Sequence, residues 1–227
     1  MSDANPPATN KAPGAGSGDS ISLADALGGF AELVAEGTPT PGGGSVAAHT
    51  GMLAAALGRM VCNITIGKPK YAAAEDRLKA INAELERLGT RLRELIVEDA
   101  ASFELVRSAY RLPKESEDER AERKLRIESA TWAAINTPHE TALRSLDVLR
   151  LLGEVATIGN PNALSDVAVG GRLAETAVRG AFYNVAINLS SITDRERASE
   201  VERQTHSLVK DAETMAREIE SRLLTQT

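Results

Sequence analysis

The chain has 227 residues, 42% of them hydrophobic, 26% charged and only 3% aromatic, which suits one globular domain rather than a disordered polymer or two full domains. Lys and Arg number 26 against 32 Asp and Glu, a formal charge of −6, so no sequence-wide positive field exists to hold nucleic acid or an anionic membrane. A single cysteine, Cys62, cannot form an internal disulfide, and a reducing, cytoplasmic setting is expected.

Residues 1–20 are rich in Pro, Gly, Ala, Ser and Asn and contain no apolar block. They read as a mobile tail ahead of one domain over 21–227. No stretch reaches the roughly 18 uninterrupted apolar residues of a membrane span. From Ser22 onward apolar residues recur at helical spacing and no strand-like alternation persists, so the expected fold is all-α, a multi-helix up-and-down bundle.

A first helix over Leu23 to Ala35 ends at Gly37, followed by the loop Thr38-Pro39-Thr40-Pro41-Gly42-Gly43-Gly44 with Ser45 as the expected N-cap. The second helix, Val46 to Ile66, is expected to bury a seam of Val46, Thr50, Leu53, Leu57, Met60 and Ile64. The third has Leu78, Ile81, Leu85, Leu88, Leu92 and Leu95 spaced three and four apart, and its seam continues to Asp99, Ser102 and Val106. After Leu112-Pro113-Lys114, a solvated charge run from Glu115 to Arg126 leads into a helix ending near Leu152, with Pro138 expected to bend or split it. Two more helices are expected, from Ser165 to Ile192 and from Asp194 to Leu224.

Asp99 stands out, because a carboxylate on the continuation of an apolar seam must be desolvated, paired or facing a polar cavity. It reads either as a buried carboxylate satisfied by an Arg or by backbone donors, or as a general base. The glycines Gly42, Gly43 and Gly44 ahead of Ser45 read either as a flexible connector or as a helix N-terminus whose N–H groups receive a phosphate or carboxylate. Asn160, Asn162, Ser165 and Asp166 form a third group, followed by Asn184 and Asn188 on one helical face; such amides either tie helices together or pair with a heterocycle. Asn63 shares a face with His49. Lys68 and Lys70 flank a helix-ending proline, as Lys114 follows one, and all three are candidates to hold an acidic ligand tail. His49, His139 and His206 are too scattered for a recognisable metal motif, so no metal is expected.

Three separated blocks carry a resemblance: PTPGGGSVAAHTGMLAAALGRMVCNITIGKPKY, EDAASFELVRSAYRLPK and NPNALSDVAVGGRLAETAVRGAFYNVAINLSSI. In this order and spacing, over 21–224, the chain resembles the methenyltetrahydrofolate cyclohydrolase and formiminotetrahydrofolate cyclodeaminase family. The resemblance implies a helical bundle that forms homodimers, with a tetrahydrofolate derivative as substrate, held near the subunit contact, and no further cofactor. It implies that Asp99 is the catalytic carboxylate and that Gly42, Gly43, Gly44, Ser45, Asn162, Ser165 and Asp166 line the folate groove. His49 departs from the small or apolar residue expected in its block. Because the chain has no room for a fused formiminotransferase domain and carries VCNITIGKPKY, the resemblance implies hydrolysis of 5,10-methenyltetrahydrofolate, with the ammonia-releasing cyclodeaminase reaction as the alternative.

Overall fold

The computed structural model describes residues 23–226, and the expected N-terminal tail lies outside the described residues. Among these there is no strand. Six helices follow one another: α1 (Leu23–Ala35), α2 (Gly43–Thr65), α3 (Glu75–Tyr110), α4 (Glu117–Ile158), α5 (Leu164–Leu189) and α6 (Arg195–Gln226), with 3-10 turns at Pro69–Ala74 and Pro161–Ala163. The chain divides into two compact units, the first ending at Thr38 and the second beginning at Pro39. In the first, α1 stops where glycine permits a left-handed exit, with Gly37 at φ 76°.

In the second unit the α3 seam forms as its spacing predicts: Leu78, Ile81, Leu85, Leu88, Leu92 and Leu95 are fully buried. Each contributes about 1.5–3 kcal/mol through burial. The α2 seam does not. Val46, Leu53 and Ile64 are 37–38% exposed, while Ala47, Ala48, Gly51, Ala54, Ala55 and Gly58 form the buried side. The reason is close packing against the neighbouring leucines, since a Cβ at Gly58 would lie 2.8 Å from both Leu152 and Leu85 side chains. Small residues therefore face inward and the larger ones are displaced outward.

Contacts between helices fix an antiparallel register. Arg59 pairs with Glu86 across α2 and α3, Arg91 with Glu140 and Arg77 with Glu154 across α3 and α4, and Arg172 with Glu220 and Arg179 with Glu213 across α5 and α6. Ser116 opens α4 with a reciprocal cap: its hydroxyl accepts from Glu119 N–H at 3.1 Å while its own N–H donates to Glu119 Oε2 at 3.0 Å.

Helix α4 is neither split at Pro138 nor ended near Leu152; it runs unbroken to Ile158 with Gly153 inside it. Pro138 has no N–H for the carbonyl four residues earlier, that of Ala134. Asn188 on α5 supplies the missing donor, its Nδ2 reaching Ala134 O at 3.0 Å. Cys62 is buried, and burial pushes its thiol up to about 11. No helix among the described residues is long and apolar enough to cross a membrane.

Candidate active site

Helix α2 begins at Gly43 with Gly42 as its cap, so Ser45 sits inside the first turn and is not the N-cap that its residue type suggests. It is fully buried. Its hydroxyl donates to Asp99 Oδ2 at 2.8 Å and lies 3.2 Å from Ile96 O. The Ser45 backbone N–H adds to the hydroxyl in favouring the ionised Asp99 carboxylate. The antiparallel register of α2 and α3 thus brings the half-buried Asp99 carboxylate onto the N-terminal turn of α2.

Two opposing influences set the proton affinity of this carboxylate. Burial raises it above the ordinary aspartate value, and the Ser45 hydroxyl and N–H pull it part of the way back. The result is a carboxyl group with raised basicity, held in one orientation.

Gly44 is required by this arrangement. A Cβ there would lie 2.7 Å from Asp99 Cγ and 2.8 Å from Oδ2, and closer still to Oδ1. At Gly44 and Ser45 the glycine-rich helix N-terminus therefore packs directly against the chain's own Asp99 carboxylate. At Gly43 a Cβ would meet only the Asn184 amide, with Nδ2 at 3.5 Å and Oδ1 at 3.9 Å, so that amide lies beside the loop. Asn184 Nδ2 donates to Gly180 O at 2.9 Å. Asn188 points elsewhere: its Nδ2 serves both Ala134 O and Asn184 O, a tie between α4 and α5. Ser102 closes onto Asp99 O at 2.8 Å.

The other expected site residues are not brought to Asp99 within one chain. Ser45 and Thr65 stand at opposite ends of α2, roughly 30 Å apart at 1.5 Å per residue. At the Thr65 end Asn160 acts as a staple, its N–H donating to Thr65 Oγ1 at 3.1 Å and its Oδ1 accepting from Tyr71 Oη at 3.3 Å and Asn162 N at 3.1 Å. Asn162 and Ser165 are exposed and Asp166 is half-buried in the first turn of α5. Asn63 is exposed and accepts from Asn82 Nδ2 at 2.9 Å. Lys68 and Lys70 are exposed here too, with Lys70 Nζ 5.4 Å from the Tyr71 ring centroid. Lys114 lies in the α3–α4 link and its carbonyl accepts from Arg120. His139 and Thr205 meet at 2.8 Å, and among the described residues no cluster of His, Cys, Asp and Glu could hold a metal ion.

Sequence reasoning missed the partnership of Ser45 with Asp99. The signal existed, since Ser45 falls one residue after Gly44 and two residues before the buried Ala47, but only the α2–α3 register shows what it faces.

A family model described as formiminotransferase-cyclodeaminase matches residues 26–207. The chain is 37% identical over 183 residues to methenyltetrahydrofolate cyclohydrolase of Methylorubrum extorquens, covering 81% of this chain and 88% of that protein. It is 33% identical over 201 residues to formimidoyltransferase-cyclodeaminase of Mus musculus, covering 88% of this chain but only 37% of that longer protein. The crystal structure of formiminotetrahydrofolate cyclodeaminase from Thermotoga maritima superposes with a TM-score of 0.76 at 30% identity, over 88% of this chain and 96% of that one. The all-α bundle and the match over most of its length place the chain in the formiminotransferase-cyclodeaminase family.

Proposed function

We propose that this chain is a methenyltetrahydrofolate cyclohydrolase, which adds water across the amidinium carbon of 5,10-methenyltetrahydrofolate to give 10-formyltetrahydrofolate. The observation that carries the proposal is the half-buried Asp99 carboxylate fixed by Ser45, in a chain that aligns with a cyclohydrolase over 88% of that relative's length. Asp99 is the general base. Ionised beside the delocalised cation, it takes a proton from the attacking water as the carbon–oxygen bond forms. The bond from that carbon to N5 then breaks, N5 is protonated, and the formyl group stays on N10, with one proton released overall. Water and the folate are the only reactants.

Gly42, Gly43, Gly44, Ser45 and Asn184 surround the reacting end. The groups at the far end of α2, Asn63, Lys68, Lys70, Asn162, Ser165 and Asp166, join the site through a homodimer. The support is the outward seam of Val46, Leu53 and Ile64 beside Val169, Tyr183 and Ile187 on α5, all at least 37% exposed. A two-fold axis perpendicular to α2 lays two such faces together with opposite polarity, so that the far end of one copy meets the Asp99 end of the other.

The test is a paired assay on purified protein in a reducing buffer of cytoplasmic pH. Loss of the methenyl absorbance above the buffer rate supports the cyclohydrolase. Ammonia release from formiminotetrahydrofolate without hydrolysis of the methenyl form reassigns the chain to the cyclodeaminase reaction, the activity named for the Thermotoga maritima structure. Binding without turnover of either substrate would leave a catalytically silent folate-binding module.

A further inference from the structure

The proposed hydrolysis moves both protons of the attacking water, and Asp99 accounts for one. That proton passes to Asp99 as the carbon–oxygen bond forms, and Asp99 can return it to N5 as the bond from the carbon to N5 breaks. The other sits on the new hydroxyl and must leave as the carbonyl forms. It is the proton released overall, so a second acceptor is needed beside Asp99. The Ser45 and Ser102 hydroxyls donate to the Asp99 carboxylate and carbonyl, and the Asn184 amide is no base at neutral pH. Glu98 is turned to Arg91, at 2.6 Å, together with Glu94 and with Glu140 of α4. On α2, Arg59 pairs with Glu86, and Cys62 is buried with its thiol pushed up. His49 is the base that remains on that helix.

His49 follows Ser45 by four residues, so the two share a face of α2 with Cβ atoms roughly 5–6 Å apart. A helical side chain leans back over the turn before it, here the turn on which Ser45 holds Asp99. His49 is half-buried, between the fully buried Ser45 and Ala48 on one side and Val46 and Leu53, 37% and 38% exposed, on the other. It thus borders both the Asp99 turn and the outward face of α2. Burial holds its ring below the ordinary histidine value and no charged neighbour contributes to that shift. The ring is therefore neutral at neutral pH, does not repel the amidinium cation, and gives up a proton readily after taking one. Histidine also stands where the family resemblance implies a small or apolar residue. We infer that His49 takes the hydroxyl proton of the tetrahedral intermediate and passes it to water, while Asp99 carries the other proton from water to N5. The O–H pair becomes the second carbon–oxygen bond, the carbon–nitrogen pair goes to N5 with the Asp99 proton, and both side chains return to their starting states. This role for His49 rests on the cyclohydrolase reading above.

The experiment follows the methenyl absorbance with wild type, His49→Ala and His49→Gln at rising imidazole or pyrazole, after subtracting the rate without protein. Imidazole accepts a proton at neutral pH; pyrazole has the same size and far less basicity. His49→Ala should lower kcat by about 10²-fold, the low end for a general base, with KM and the helical circular dichroism unchanged. Imidazole should restore its kcat in proportion to concentration, pyrazole should not, and neither should accelerate wild type. His49→Gln fills the space and takes no proton, so it should lose as much kcat and resist rescue; it also keeps the volume should the alanine variant lose its fold. Wild-type kcat in folded His49→Ala or in His49→Gln, a loss that imidazole does not restore in folded His49→Ala, or equal rescue by pyrazole would overturn the proton route. Wild type that turns over formiminotetrahydrofolate and leaves the methenyl form intact would instead remove the cyclohydrolase reading, and the role of His49 with it.

Discussion

Replacing Gly44 with alanine separates two roles a glycine can have at a helix start. If the residue supplied only flexibility, alanine would be harmless or slightly stabilising, because it forms helix better than glycine by about 0.5–1 kcal/mol. The structure gives a different answer. The new Cβ would sit 2.7 Å from Asp99 Cγ, and ordinary contact begins near 3.4 Å, so the carboxylate must move by at least about 0.7 Å and lose alignment with Ser45 Oγ and N–H. A displacement on the order of 1 Å at a reacting group costs about 10²-fold in rate, and leaving the buried acceptor poorly paired costs about 1–3 kcal/mol. Gly43→Ala is the control, since its Cβ would meet Asn184 only at 3.5 Å. Methenyltetrahydrofolate hydrolysis and thermal unfolding of both variants give the comparison. Near wild-type kcat and stability in Gly44→Ala would refute the packing argument, as would equal losses in the two variants.

Ser45→Ala removes the hydroxyl that counters burial at Asp99, so the acidic limb of the kcat/KM profile should move to higher pH; an unmoved limb would exclude the hydroxyl from setting Asp99's proton affinity. Since burial raises the folded-state affinity of Asp99 above its unfolded value, the group favours folding below the unfolded pKa, and that contribution is lost as pH rises through the raised folded pKa. Wild-type stability measured against Asp99→Asn by denaturant titration should therefore decline with increasing pH across that window. Asn188→Ala should cost about 1–3 kcal/mol by orphaning the Ala134 carbonyl, and the cost should shrink in a Pro138→Ala background, where the restored N–H serves that carbonyl; an unchanged cost in the double-mutant cycle would contradict this. Leu53→Asp with Ile187→Asp should convert a dimer to a monomer in light scattering, and a dimer that survives both changes would place the contact elsewhere.

The sequence pattern was most informative where one residue type dominates a face. The α3 leucine seam predicted both its burial and the position of Asp99 on its continuation. It misled on α2, where periodicity assigned the larger side chains to the core although the helix packs through Gly, Ala and Ser. Period alone cannot distinguish a core face from an outward one when both are apolar. The split allowed for at Pro138 is absent for a related reason: the proline's disruptive effect depends on whether the freed carbonyl finds a donor, and that donor, Asn188, is fifty residues away in sequence. For the candidate site, residue types pointed to Asp99 and the glycine turn, but their direct partnership depends on the register between helices, which no local pattern encodes.

The proposed reaction depends on the Asp99 carboxylate, held by Ser45, as the base that activates water. Asp99→Asn tests it most directly, since asparagine keeps the volume and an acceptor oxygen for Ser45 and removes the basicity. On 5,10-methenyltetrahydrofolate kcat should fall by roughly 10²- to 10⁴-fold, the usual contribution of a general base, with the helical circular dichroism unchanged and the acidic limb of the pH profile gone. A folded Asp99→Asn protein with near wild-type kcat would remove Asp99 from the role of base.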